Sequence, residues 1–127
     1  MNRTRMNRTF GFSALIALAL VIPSAAFAHA HLVKAVPAVG GTVSASPTEL
    51  KLSFSEGVEP RFSGAELQAA NGRAVETGAA SLDPADHATL VVPVKAQLQP
   101  GSYKVSWHVV SVDTHKTQGS FTIAVKP

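Results

Sequence analysis

The 127-residue chain contains no cysteine. Disulfides and thiolate metal sites are therefore excluded, although exported domains of this size often depend on cross-links. Methionine is nearly absent too, since both copies, Met1 and Met6, lie at the extreme N-terminus. The rest of the chain offers no soft sulfur ligand to a thiophilic metal. No segment carries a sustained helical period, and there is no internal repeat or low-complexity linker. A usable basic surplus is missing as well. Eleven Lys and Arg stand against eight Asp and Glu, but Arg3, Arg5 and Arg8 lie at the front, leaving eight of each sign in residues 29–127. Those eight cations are scattered singly from Lys34 to Lys126. Binding phosphates needs clustered Lys and Arg, so neither nucleic acid nor an anionic membrane is expected as a partner.

The three leading arginines are followed by an apolar stretch over residues 10–22, then Pro23 and the small-residue sequence Ala26, Phe27, Ala28. Charged, apolar and cleavable segments in that order describe a secretory signal peptide over residues 1–28. The apolar stretch falls short of the roughly 20 residues that span a bilayer, so cleavage after Ala28 is expected, with no membrane insertion afterwards. There is no twin arginine, which points to ordinary export in the unfolded state, into the periplasm. Residues 29–127 then suit one small domain that relies on apolar packing.

In that region apolar residues recur mostly at every second position, the pattern of strands with one buried face. Leu50, Leu52 and Phe54 alternate with Lys51, Ser53 and Ser55, and Phe121, Ile123 and Val125 alternate with Thr122, Ala124 and Lys126. The longest expected strand covers residues 103–115, with Tyr103, Val105, Trp107 and Val109 on one face and Lys104, Ser106 and His108 on the other. Shorter strands are expected over residues 32–36, 66–70 and 90–94. Pro37 with Gly40 and Gly41, Asn71 with Gly72, and Pro100 with Gly101 supply the turns between them. Short strands at this spacing predict an all-β fold, a β-sandwich or small Greek-key barrel.

The sharpest chemical feature is the sequence that cleavage exposes: His29, Ala30, His31, Leu32. A free N-terminal histidine offers its α-amine and an imidazole nitrogen to one metal ion, and the amine's ordinary pKa of about 7.7–8.0 lets a metal displace its proton near neutrality. In an extended segment His31 projects to the same side as His29. At the end of the longest expected strand, Asp113 and His115 are two apart, so carboxylate and imidazole converge there too. Nitrogen and oxygen donors of this kind suit Cu(II) in a tetragonal arrangement; Zn(II) accepts the same donors but prefers a tetrahedral one. The missing sulfur argues against Cu(I) and against a blue-copper electron-transfer centre. His87, after Asp83, Pro84 and Asp86, reads as an exposed loop residue, His108 as a surface residue and Trp107 as core.

The run Tyr103, Lys104, Val105, Ser106, Trp107, then Val110, Ser111, Asp113, Thr114, His115, with Gly119 and Ser120, resembles the C-terminal signature of the CopC-type periplasmic copper-resistance proteins. His29, Ala30, His31, Leu32, Val33, with Pro37, the run Phe54, Ser55, Glu56 and the run Phe62, Ser63, Gly64, Ala65, is similar to the same family. The resemblance implies a cupredoxin-like, immunoglobulin-like Greek-key β-sandwich or barrel of about seven strands. It also implies one Cu(II) per chain, held by His29, Asp113 and His115. His31 is then an added ligand or a hydrogen-bond partner behind the ligands, and Glu56 a weaker candidate for that supporting role. Delivery to an inner-membrane CopD-type copper importer is a further implication. Some members carry a second, methionine-rich Cu(I) site, but residues 66–82 contain no methionine here.

Two other functions compete. An N-terminal histidine with a second histidine on copper also resembles the histidine brace of polysaccharide monooxygenases. The aromatics of residues 29–127 are Phe54, Phe62, Tyr103, Trp107 and Phe121, and several are needed for the core, so a broad substrate face is not expected and the chain is taken as non-enzymatic. The remaining alternative is a metal-free immunoglobulin-like interaction module.

Overall fold

The computed structural model describes residues 29–127 together with Gly11, Ile16, Ala17 and Ala19. The signal peptide expected over residues 1–28 otherwise lies outside the described residues. In chain order the strands are β1 (Leu32–Val36), β2 (Thr42–Val43), β3 (Glu49–Phe54), β4 (Gly64–Ala69), β5 (Ala74–Val75), β6 (Ser81–Asp83), β7 (Asp86–Pro93), β8 (Gly101–Val110) and β9 (Lys116–Val125). They form a sandwich of two sheets, one ordered β1-β3-β7-β6 and the other β2-β9-β8-β4-β5. A single 3-10 turn, Pro60–Phe62, bridges β3 and β4.

The alternation seen in the sequence becomes the inner faces of these sheets. Leu50, Leu52 and Phe54 of β3 and Leu90 and Val92 of β7 are buried against Leu67 of β4, Val105, Trp107 and Val109 of β8 and Phe121, Ile123 and Val125 of β9. Each such side chain contributes about 1.5–3 kcal/mol on burial, which is how a domain of this size dispenses with disulfides. Turn chemistry is equally direct at the β4–β5 hairpin, where Gly72 takes φ 87° and its N–H donates to the Ala69 carbonyl at 2.9 Å.

Three expectations need correction. Nine strands are present among the described residues instead of about seven, because β2 and β5 have only two residues each and cannot display an alternation. The long strand expected over residues 103–115 ends at Val110, the last residue of the β8–β9 ladder, which sits opposite Lys116. Residues 111–115 form a tight turn instead, with Thr114 in the left-handed region at φ 73°. His87, expected in a loop, lies near the start of β7.

The β8–β9 ladder also explains one glycine. Trp107 faces Gly119 across the ladder, and a Cβ at residue 119 would fall 2.5 Å from Trp107 Cζ2. The ring cannot retreat, since it is 9% exposed and packs edge-on against Phe54 with centroids 5.1 Å apart. Gly119→Ala is therefore expected to destabilise the protein by about 1–3 kcal/mol despite the better strand propensity of alanine. Urea unfolding followed by Trp107 fluorescence checks this; unchanged or increased stability would show that the ring has room.

Candidate metal centre

The site forms at one end of the sandwich, where β1 starts, β3 ends and β8 turns into β9. The segment entering β1 is laid against its neighbours by three hydrogen bonds. His31 donates its N–H to Ser55 Oγ at 3.0 Å and accepts from the Ser55 N–H at 2.9 Å, while Thr117 Oγ1 donates to the Ala30 carbonyl at 2.7 Å. Ala30 is fully buried. His29 is thus delivered to the turn between β8 and β9, and its ring meets that of His115 edge to face, with centroids 4.8 Å apart and planes at 88°.

The turn itself is organised around Ser111, which is also fully buried. Its N–H donates to the His115 carbonyl at 2.9 Å, and its carbonyl accepts from the Thr114 N–H at 2.8 Å. The Ser111 hydroxyl donates to Asp113 Oδ1 and receives the His115 N–H at 3.3 Å. Val112 N–H reaches the Gly57 carbonyl at 3.0 Å, tying the turn to the loop after β3. Thr114, β-branched at positive φ, stores strain on the order of 1–3 kcal/mol that these bonds must hold.

Asp113 and His115 do converge, but through this turn and not through an extended strand. Asp113 Oδ1 lies 3.1 Å from His115 Nδ1. With the proton on Nδ1 donated to the carboxylate, His115 Nε2 and Asp113 Oδ2 are left to face a ligand, the arrangement by which a carboxylate fixes a ligating imidazole. The Ser111 hydrogen bond holds the Asp113 carboxyl below the usual carboxylate range; partial burial opposes this, and the His115 side chain and N–H add to it. Both side chains are partly open, with 33% of Asp113 and 47% of His115 accessible.

Of the expected site residues, the structure therefore brings together His29, Asp113 and His115. Among the described residues no hydrogen bond, ion pair or ring contact joins the His31 side chain to this group; His31 takes part through its backbone. His108 lies on the outer face of the five-stranded sheet beside Gly64. Glu56 sits between Ser55, which holds His31, and Gly57, which holds Val112, and its Oε1 is buried without a hydrogen-bond partner among the described residues. An orphaned acid oxygen in that position is suited to a cation or a donor brought with one. Among the described residues, no three His, Asp or Glu side chains are already closed around one point. A complete donor set needs the α-amine that cleavage before His29 would supply. Sequence reading missed the supporting roles of Ser55, Ser111 and Thr117, because a hydroxyl at an alternating position looks like any other strand residue.

Because the folded-state pKa of Asp113 is depressed, its contribution to stability is in place above the ordinary carboxylate range and is lost as pH falls through the depressed value. Ser111→Ala should move the Asp113 titration upward in the metal-free protein and shift this acid loss to higher pH. Carbon-detected NMR of the Asp113 carboxyl reads the midpoint; a midpoint unchanged by the substitution would remove Ser111 as the cause.

With this geometry in place, the chain can be set beside known proteins. The family model for the CopC domain matches residues 32–126. Protein YobA of Escherichia coli strain K12 is 45% identical over 113 residues, covering 89% of this chain and 90% of that one. Copper resistance protein C of Pseudomonas syringae pv. tomato is 36% identical over 126 residues, covering 95% and 98%. Among solved structures, CopC from Methylosinus trichosporium OB3b aligns with a TM-score of 0.72 at 33% identity, covering 78% of this chain and 95% of that one. A shared β-sandwich and a match running from β1 through β9 show that this chain belongs to the CopC family of copper resistance proteins.

Proposed function

We propose that residues 1–28 are removed on export and that the mature chain binds one Cu(II) in the periplasm through the α-amine and ring of His29, with Asp113 and His115. The observation that carries this reading is the His29 ring standing 4.8 Å from that of His115, with Asp113 hydrogen-bonded to the same imidazole. An α-amine and the Nδ1 of one histidine close a six-membered ring on a metal, and His115 Nε2 adds a third nitrogen. Three nitrogens and a carboxylate oxygen favour Cu(II), which heads the divalent affinity order. Glu56 stands behind this set in a supporting role.

The protein acts as a carrier or buffer that sequesters copper and hands it to an inner-membrane importer of the CopD type. Partial exposure of Asp113 and His115 supports transfer, since an incoming ligand can reach the ion without unfolding the site. A catalytic role on a polysaccharide is disfavoured by the surface. Phe54, Tyr103, Trp107 and Phe121 are buried, and Phe62 is the one exposed aromatic ring among Phe, Tyr and Trp of residues 29–127. A flat aromatic platform cannot be assembled from it.

Adding one glycine before His29 moves the amine off the chelate while leaving every side chain in place. Cu(II) affinity in a competition titration should fall by more than about tenfold, since loss of even a supporting partner costs a metal site 10–100-fold. Thermal unfolding of the copper-free protein should not change. Equal affinity in the extended protein would exclude the amine as a ligand. Protons compete for imidazole and amine, so a pH titration of the loaded protein should show copper released as pH falls, with retention at acid pH contradicting nitrogen ligation.

A further inference from the structure

We propose that Thr117 is the positioning residue of the amino-terminal chelate, a latch that holds His29 against His115. The inference rests on the reading that His29 begins the mature chain. Thr117 Oγ1 donates to the Ala30 carbonyl at 2.7 Å. Ala30 is fully buried, so this carbonyl has no water to turn to if the donor is lost. Thr117 stands two residues beyond His115 on β9, opposite Val109 of β8. A short circuit results, from His115 along the strand to Thr117, across the hydrogen bond to Ala30, and back one residue to His29.

That circuit matters because a free N-terminus is otherwise the most mobile part of a chain. The Ser55 bonds fix His31 to the residue just past β3, but they lie beyond Ala30 and on the side of the other sheet. Among the described residues, only the Thr117 bond ties the residue next to His29 to β9, the strand that begins just after His115. With the latch closed, the amine and ring of His29 are held near His115 before copper arrives, and less freedom is lost on binding. With it open, the amine and ring of His29 still form a chelate, but one that swings away from Asp113 and His115.

The test compares the mature protein with Thr117→Val, which keeps the shape and removes the donor, and Thr117→Ser, which keeps the donor. Thr117→Val should lower Cu(II) affinity about tenfold. It should also replace a single electron paramagnetic resonance signal with a mixture containing species of lower nitrogen count. Thr117→Ser should restore both. In the copper-free protein, an aminopeptidase should release His29 faster from Thr117→Val than from the wild type or Thr117→Ser. A Thr117→Val protein with wild-type spectrum and wild-type trimming rate overturns the latch. If that variant does not fold, Thr117→Ala, which adds no methyl to the site, is judged by the same two readouts. Failure of the wild type to bind Cu(II) would sink the copper reading, while the trimming comparison would still decide the latch.

Discussion

Closure of the turn between β8 and β9 by the buried Ser111 is the constraint on which the site depends. The ladder of two ten-residue strands runs from Gly101 opposite Val125 to Val110 opposite Lys116 and must reverse within the next five residues. Ser111 uses its N–H, carbonyl and hydroxyl inside that reversal. The result is a carboxylate and an imidazole fixed against each other by backbone geometry, at the mouth of a sandwich whose core lies immediately behind them. Strain at Thr114 is held there because Ser111, Gly57 and His115 all bond across the turn.

The second half of the site comes from the opposite end of the sequence. Folding brings it in by burying Ala30, whose methyl belongs to the core, so the chain entering β1 cannot drift away from β9. His29 is carried along as the next residue. The two halves therefore depend on the same packing that stabilises the fold, and the proposed metal would close a cluster that this packing has already brought together. This is the economy of placing ligands at the ends of rigid strands.

Much of this was legible in the sequence where side-chain alternation governs. The strands around Leu50, Leu90, Val105 and Ile123 follow directly from period-two burial, and Asn71 with Gly72 marks its hairpin by turn chemistry alone. Two-residue strands such as β2 escaped because pairing with β9, not composition, creates them. The end of β8 escaped for a different reason. Val109, Ser111 and Asp113 continue an alternating pattern past the point where the backbone turns, and only the captured Ser111 hydroxyl reveals the reversal. His29, Asp113 and His115 were recognisable as candidate donors by residue type, and so was His31, whose backbone bonds to Ser55 could not be read from residue type.

The absence of sulfur from residues 29–127 and the meeting of His29, Asp113 and His115 are the two observations behind the proposed nitrogen- and oxygen-ligated Cu(II). The most direct measurement is electron paramagnetic resonance with nitrogen hyperfine resolution on the Cu(II)-loaded mature protein and its His29→Ala, His31→Ala and His115→Ala variants. The account predicts that the His29 and His115 variants each lose one of the three nitrogen couplings and that the His31 variant keeps all three. A full set of couplings in His115→Ala, or a coupling lost in His31→Ala, would contradict it.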